Sequence, residues 1–68
     1  MPEPSSVIEA IRQHRRMLTP AKLAELLALS PKTLYARVKA GTIPSIRIGG
    51  SIRFDPAVTA NWLQSKMA

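Results

Sequence analysis

The sequence contains no cysteine, and its 68 residues include one histidine and four acidic residues. A disulfide framework is therefore excluded. His14 and the acids are too scattered along the chain to form a metal cluster, the acids being Glu3, Glu9, Glu25 and Asp55. We expect no metal and no cofactor. The lack of cysteine also fits a reducing cytoplasm.

Long apolar runs and catalytic motifs are missing as well. No segment approaches the roughly 20 apolar residues of a membrane span, and the start of the chain lacks the apolar core of a secretory signal. There is no HExxH motif, no P-loop and no credible set of serine, histidine and acid. With 46% hydrophobic residues the chain should fold. We expect a soluble, intracellular, non-enzymatic single domain without a membrane partner or a small-molecule ligand.

Positive charge is abundant, with a net charge of +6. Between Ser30 and Phe54 there is no acid, and the cations are Lys32, Arg37, Lys39, Arg47 and Arg53. A solvated surface normally mixes both signs. The distribution predicts an anionic partner, with nucleic acid ahead of a membrane surface.

Three dipeptides combine a helix N-cap with proline at the first helical position: Thr19-Pro20, Ser30-Pro31 and Asp55-Pro56. They predict three helices, of which the last runs from about Pro56 to Ser65. Ala28-Leu29 connects the first two, and Gly41 suits the left-handed position after the second. Two short helices joined by a tight turn are the layout of a helix-turn-helix.

Helical spacing predicts which side chains face the core. The predicted inward residues are Leu23, Leu26 and Leu27, then Leu34 and Val38, then Val58, Trp62 and Leu63, whereas Lys22 and Glu25 should face out.

The N-terminal region is expected to hold a loose arm, Met1–Ser5, and a further helix that begins at the capping box Ser6–Glu9. Its apolar stripe is Val7, Ile8 and Ile11, with His14 as a possible continuation, and it ends among Arg12, Arg15 and Arg16. These arginines either complement the helix dipole or form a phosphate-binding arm. The helix itself could pack on the domain, join a neighbouring protomer or add phosphate contacts.

After Pro44 the period becomes two, which predicts a β-hairpin turning at Gly49-Gly50. The alternation predicts one face formed by Ile46, Ile48, Ile52 and Phe54 and another formed by Ser45, Arg47, Ser51 and Arg53. Since an isolated hairpin is unstable, its apolar face should pack on the helices.

The helix from Ser30 is the predicted recognition helix. With Leu34 and Val38 inward, the candidates for base contacts are Lys32, Thr33 and Ala36, and those for phosphate contacts are Tyr35, Arg37 and Lys39. Amides behind Ser30 could also bind phosphate. On the hairpin the candidates are Arg47, Gly50, Ser51 and Arg53. A merely solvated surface is the alternative for both elements, and Tyr35 could instead cover the edge of the core.

Six segments, in this order, resemble the excisionase-like, MerR-type winged-helix family of phages and mobile elements: Leu18–Leu27, Leu29–Tyr35, Gly41–Pro44, Ile46–Gly49, Ile52–Phe54 and Trp62-Leu63. The resemblance implies a recognition helix in the major groove and a wing in the minor groove. It also implies a recombination directionality factor that binds repeated sites side by side, bends DNA and directs an integrase, a tyrosine recombinase, toward excision. The chain departs from the family at Gly50, where a basic residue is frequent, and at Ala36 and Arg37.

The expected fold is α+β and mostly helical: a winged helix-turn-helix with a two-stranded hairpin wing and an extra N-terminal helix, divided into residues 1–17 and 18–68. The expected function is that of a phage excisionase on DNA in the bacterial cytoplasm, associating with itself and with integrase. The end of the chain at Ala68, without a dimerisation segment, favours this over a small phage transcription regulator. A protein-interaction adaptor that uses the Val7–Ile11 stripe is a third hypothesis.

Overall fold

The computed structural model describes residues 6–67, so the predicted arm Met1–Ser5 lies outside the described residues. The elements are α1 (Ser6–Arg12), α2 (Pro20–Leu27), α3 (Pro31–Ala40), β1 (Ile46–Ile48), β2 (Ser51–Arg53) and α4 (Pro56–Ser65). This order confirms the predicted α+β fold of a winged helix-turn-helix with an additional N-terminal helix. None of the helices found between residues 6 and 67 combines the length and apolar character that crossing a membrane requires.

The predicted helix starts are confirmed by their caps. Thr19, Ser30 and Asp55 have extended backbone, and each is followed by proline in the first turn. Thr19 Oγ1 accepts a hydrogen bond from the Lys22 amide at 3.1 Å, and Ser30 Oγ accepts one from the Thr33 amide at 3.1 Å. Each cap satisfies an amide that the helix itself leaves without a partner.

Both helices of the helix-turn-helix end in a left-handed residue. Gly41 has φ +77 after α3, as predicted, whereas α2 is followed by Ala28 with φ +58. At the end of α2 the Leu29 amide donates to the Ala24 carbonyl at 2.9 Å, which completes a Schellman motif. The short turn between α2 and α3 therefore depends on a non-glycine residue in a glycine-like conformation.

A buried cluster joins the helices to the hairpin. Its members are Ile8, Ile11, Leu18, Leu23, Ala24, Leu34, Ile43, Phe54 and Ala60. Helix α1 packs against α4 and α2, and Arg12 Nη1 donates to Asn61 Oδ1 of α4 at 2.9 Å. Of the alternatives for the N-terminal helix, packing on the rest of the domain is therefore the one that the structure shows.

Two predicted core residues of the helices are exposed. Val7 is 44% exposed and Val58 is 48% exposed. The buried residues of α4 are instead Thr59 and Ala60. The prediction favoured bulky apolar residues, but α4 turns small side chains inward, which allow a neighbouring helix to approach closely. Trp62 and Leu63 are partly buried against the core, as are Leu26, Leu27 and Val38.

The hairpin has a different arrangement of faces from the predicted one. β1 and β2 are antiparallel, with Ile46 opposite Arg53, Arg47 opposite Ile52 and Ile48 opposite Ser51. Directly opposed residues project to the same face of a sheet. The predicted division into one apolar and one arginine-bearing face is therefore wrong. A two-residue turn places residue 48 opposite 51, which inverts the alternation of β2 relative to β1.

The hairpin is attached to the helices by a second, very short strand pairing. Leu18 and Phe54 form an antiparallel bridge: the Leu18 amide donates to the Phe54 carbonyl at 2.8 Å, and the Phe54 amide donates to the Leu18 carbonyl at 2.9 Å. Both side chains are buried. The bridge fixes the end of β2 next to the residue that precedes the cap of α2.

Candidate nucleic-acid interface

One side of helix α3 packs on the core, and its other sides are exposed to solvent. Leu34 is fully buried and Val38 is half-buried, which confirms the predicted inward direction. The exposed residues include all six predicted contact residues of the helix, namely Lys32, Thr33, Tyr35, Ala36, Arg37 and Lys39. Whether these side chains bind DNA stays a prediction, but the helix presents them to solvent together.

The N-terminal turn of α3 is organised by Ser30 and Thr33. Besides accepting from the Thr33 amide, Ser30 Oγ donates to Thr33 Oγ1 at 2.9 Å. The hydroxyl proton of Thr33 consequently stays free to donate to a ligand. Since Pro31 has no amide proton and the Thr33 amide is capped, the amide of Lys32 is the one left for the predicted phosphate contact.

The acidic side chains of the described residues lie outside the basic segment Ser30–Phe54. Glu9 forms an ion pair with Arg12 at 3.7 Å, and Glu25 forms one with Lys22 at 3.7 Å. Asp55 Oδ1 accepts from the first amides of α4. Within the described part of the chain, the charge of α3 and of the hairpin is therefore not compensated by its own carboxylates.

Arg37 is placed apart from the N-terminal turn of α3, beside α4. It borders a cavity of about 350 Å³ whose other lining residues are Leu29, Thr42, Ile43, Trp62 and Lys66. Lys66 Nζ lies 5.5 Å from the ring centroid of Trp62, within the range of a cation–π contact. The ring of Trp62 packs against the core, as predicted, and Arg37 adds positive charge at the edge of this cavity.

The two arginines of the hairpin wing, Arg47 and Arg53, lie on opposite faces of the hairpin. Arg47 is exposed, on the face of Ile52, whereas Arg53 is half-buried and its Nη1 donates to the Ile52 carbonyl at 2.8 Å. The exposed residues Gly50 and Ser51 form the tip with Gly49. Arg47 is therefore more available to a phosphate than Arg53.

The sequence reading missed two exposed isoleucines on the wing. Ile46 is 39% exposed and Ile48 is 57% exposed, on the face that also carries Arg53. The signal was present in the sequence: a two-residue Gly-Gly turn fixes which residues oppose each other, and hence which faces they share. The wing thus offers apolar surface as well as charge.

A family model described as a helix-turn-helix domain matches residues 17–67, which include α2, α3, the hairpin and α4. No curated protein and no solved structure matches the chain.

Proposed function

The chain belongs to this family of helix-turn-helix domains, which indicates DNA binding, and on this premise we propose that it is an architectural DNA-binding protein of the excisionase type. It acts without catalysis. The observation that carries the proposal is the exposed side of α3 together with the five cations between Ser30 and Phe54, a segment without any acid. Such a surface attracts the phosphate backbone and positions a helix for base contacts.

In this proposal α3 lies in the major groove with its N-terminal turn toward the bases. Lys32 and Thr33 reach base edges through their ammonium and hydroxyl groups, and Ala36 contacts a thymine methyl group. Phosphate contacts come from the N-cap Ser30, from the Lys32 amide and from three side chains farther along the helix, namely Tyr35, Arg37 and Lys39. On the wing they come from Arg47 and from the tip residues Gly50 and Ser51, with a smaller share for the half-buried Arg53.

The excisionase role is supported by the ordered resemblance of Leu18–Leu63 and by the size of the module. A single small module buries roughly 600–1,000 Å² on DNA, which is a modest interface. Copies placed side by side on repeated sites would add affinity and accumulate a bend. A bent attachment site, with contacts to a tyrosine recombinase, is the means by which such a protein would direct integrase toward excision. The site of action is DNA in the bacterial cytoplasm.

The experiment is a recombination assay with the integrase encoded nearest to the gene for this protein. We expect the protein to protect adjacent sites cooperatively in footprints of the flanking DNA and to increase excision while suppressing integration. Independent filling of adjacent sites, or recombination that does not respond to the protein, contradicts the excisionase role. A changed promoter activity with unchanged recombination identifies a small transcription regulator instead.

A charge-reversal variant separates DNA binding from an adaptor role. Lys39→Glu combined with Arg47→Glu alters two exposed side chains, so the fold should be retained. We expect the loss of both binding and recombination activity. Unchanged activity in cells would instead support an adaptor that touches DNA only incidentally.

A further inference from the structure

The tip of the wing carries an apolar side chain that the core does not use. Ile48 is the last residue of β1 and is 57% exposed, whereas Phe54 at the other end of the hairpin is fully buried. Ile48 opposes Ser51, a small residue that leaves its side chain uncovered. Exposing a β-branched apolar side chain at the end of a hairpin contributes nothing to the packing of this domain.

The turn next to Ile48 contains a glycine that its backbone conformation does not require. Gly49 has φ +60, which suits the first central position of a type II′ turn, where glycine is needed. Gly50 is not among the residues with positive φ, and a Cβ built on it would meet nothing within 4 Å. Neither conformation nor internal packing demands glycine at residue 50. A missing side chain at such a position permits close approach by another molecule.

Building on the DNA binding proposed above, and on the minor-groove position of the wing that the family resemblance implies, we propose that Ile48 is a wedge: its side chain partly unstacks one base step. The minor groove is only about 6 Å wide, so a tip formed by two glycines and a serine is suited to it. Architectural proteins insert isoleucine and similar side chains between base steps from this groove and thereby kink the duplex.

Charge identifies DNA, rather than a second copy of the chain, as the occupant. The hairpin contains Arg47 and Arg53 and no acid. Two hairpins paired through the face of Ile46 and Ile48 would bring the Arg53 side chains of both copies together, and like charges oppose such pairing. Phosphates on both sides of the minor groove neutralise the arginines while the groove floor receives Ile48.

The test measures bending and unstacking on a short duplex of the footprinted sequence. Dyes at the two ends report the bend by energy transfer, and 2-aminopurine placed at successive steps reports unstacking. We expect the wild type to raise the fluorescence at one step. Ile48→Ser should abolish that signal, reduce the bend and weaken binding on the order of tenfold, with an unchanged salt slope because no charge is removed. Ile48→Leu should retain the signal.

Two further variants make the result specific. Val58→Ser removes a similarly exposed apolar residue from α4 and should leave bending unchanged. Gly50→Ala should weaken binding without lowering the melting temperature. If Ile48→Ser bends DNA as the wild type does, the wedge is refuted. If it loses only cooperativity between adjacent sites, Ile48 contacts a second copy instead.

Different experimental results would contradict the wedge proposal and the proposed function. A wild-type protein that binds its duplex without unstacking any step overturns the wedge alone. A wild-type protein that binds no duplex DNA overturns both.

Discussion

Thr59 places a hydroxyl group in the core without a partner for it. The side chain is fully buried, and Oγ1 has no hydrogen-bond partner among residues 6–67. Burying such a group costs free energy that an apolar group of the same shape would not cost. The buried hydroxyl of Thr59 therefore lowers the stability of the native fold.

Thr59→Val should stabilise the domain because it removes the hydroxyl and keeps the shape. We expect the free energy of unfolding to rise by about 1 kcal/mol, and the melting temperature to rise by roughly 4–8 °C. Thermal unfolding followed by circular dichroism measures both. Val58→Thr, on the exposed side of the same helix, is the control and should change little. A destabilised Thr59→Val protein would show that the hydroxyl does form a hydrogen bond.

Lys39 and Thr33 test the orientation proposed for α3. Lys39 is exposed in the last turn and carries charge but no sequence information, so Lys39→Ala should weaken binding to all sequences and lower the salt slope by about one unit. Thr33→Ala should alter preference at one base pair. Titrations over a range of salt concentrations and base substitutions measure these effects. If Lys39→Ala leaves the salt dependence unchanged, the orientation is wrong.

At the scale of the elements, α2 and α3 end in the same motif built from different residues. Ala28 and Gly41 both have left-handed backbone, and the residue after each donates a hydrogen bond back into its helix. A left-handed conformation costs an L-residue roughly 1–2 kcal/mol and glycine almost nothing. The turn of the helix-turn-helix is therefore the more strained of the two ends.

Exchanging the residue types at these ends should change stability in opposite directions. Gly41→Ala should lower the free energy of unfolding by about 1 kcal/mol. Ala28→Gly should raise it by about 0.5 kcal/mol, because the relief of backbone strain in the folded state exceeds the stability lost through the larger entropy of the unfolded chain. Urea denaturation of the two variants measures both. A loss of stability in Ala28→Gly would contradict the strain assigned to the α2–α3 turn.

The elements also show what the sequence could and could not predict. The helix starts at Thr19, Ser30 and Asp55 depend on local chemistry, so the cap and proline signals located them. The faces of the hairpin depend on pairing across the turn, and alternation along each strand alone assigned Ile48 to the wrong side. That error was avoidable, because the turn length determines the pairing.

At the scale of the whole molecule, α1 lies before the matched helix-turn-helix region and still belongs to the core. Ile11 is fully buried and Arg12 bonds Asn61 of α4. The sequence left several roles open for this helix, because the choice depends on tertiary packing against α4. No local signal marks Ala60 as a buried contact residue or Val58 as an exposed one.

Ile11→Ala should therefore destabilise the entire domain. Truncating a fully buried isoleucine costs about 2–5 kcal/mol, a large part of the stability available to so small a protein. Val7→Ala, at a side chain 44% exposed, is the control and should change little. Thermal unfolding of the full chain compares them. If both variants melt as the wild type does, α1 is an appendage rather than part of the core.

The bridge between Leu18 and Phe54 has a consequence for how the molecule opens. It joins residues far apart in the sequence through two hydrogen bonds between buried residues, so it cannot break without exposing core on both sides. Local opening of a protein proceeds in cooperative units bounded by such contacts. The root of the wing and the start of the helix-turn-helix should accordingly open as one unit. The amide protons of Leu18 and Phe54 would then exchange with solvent together, and among the last in the molecule.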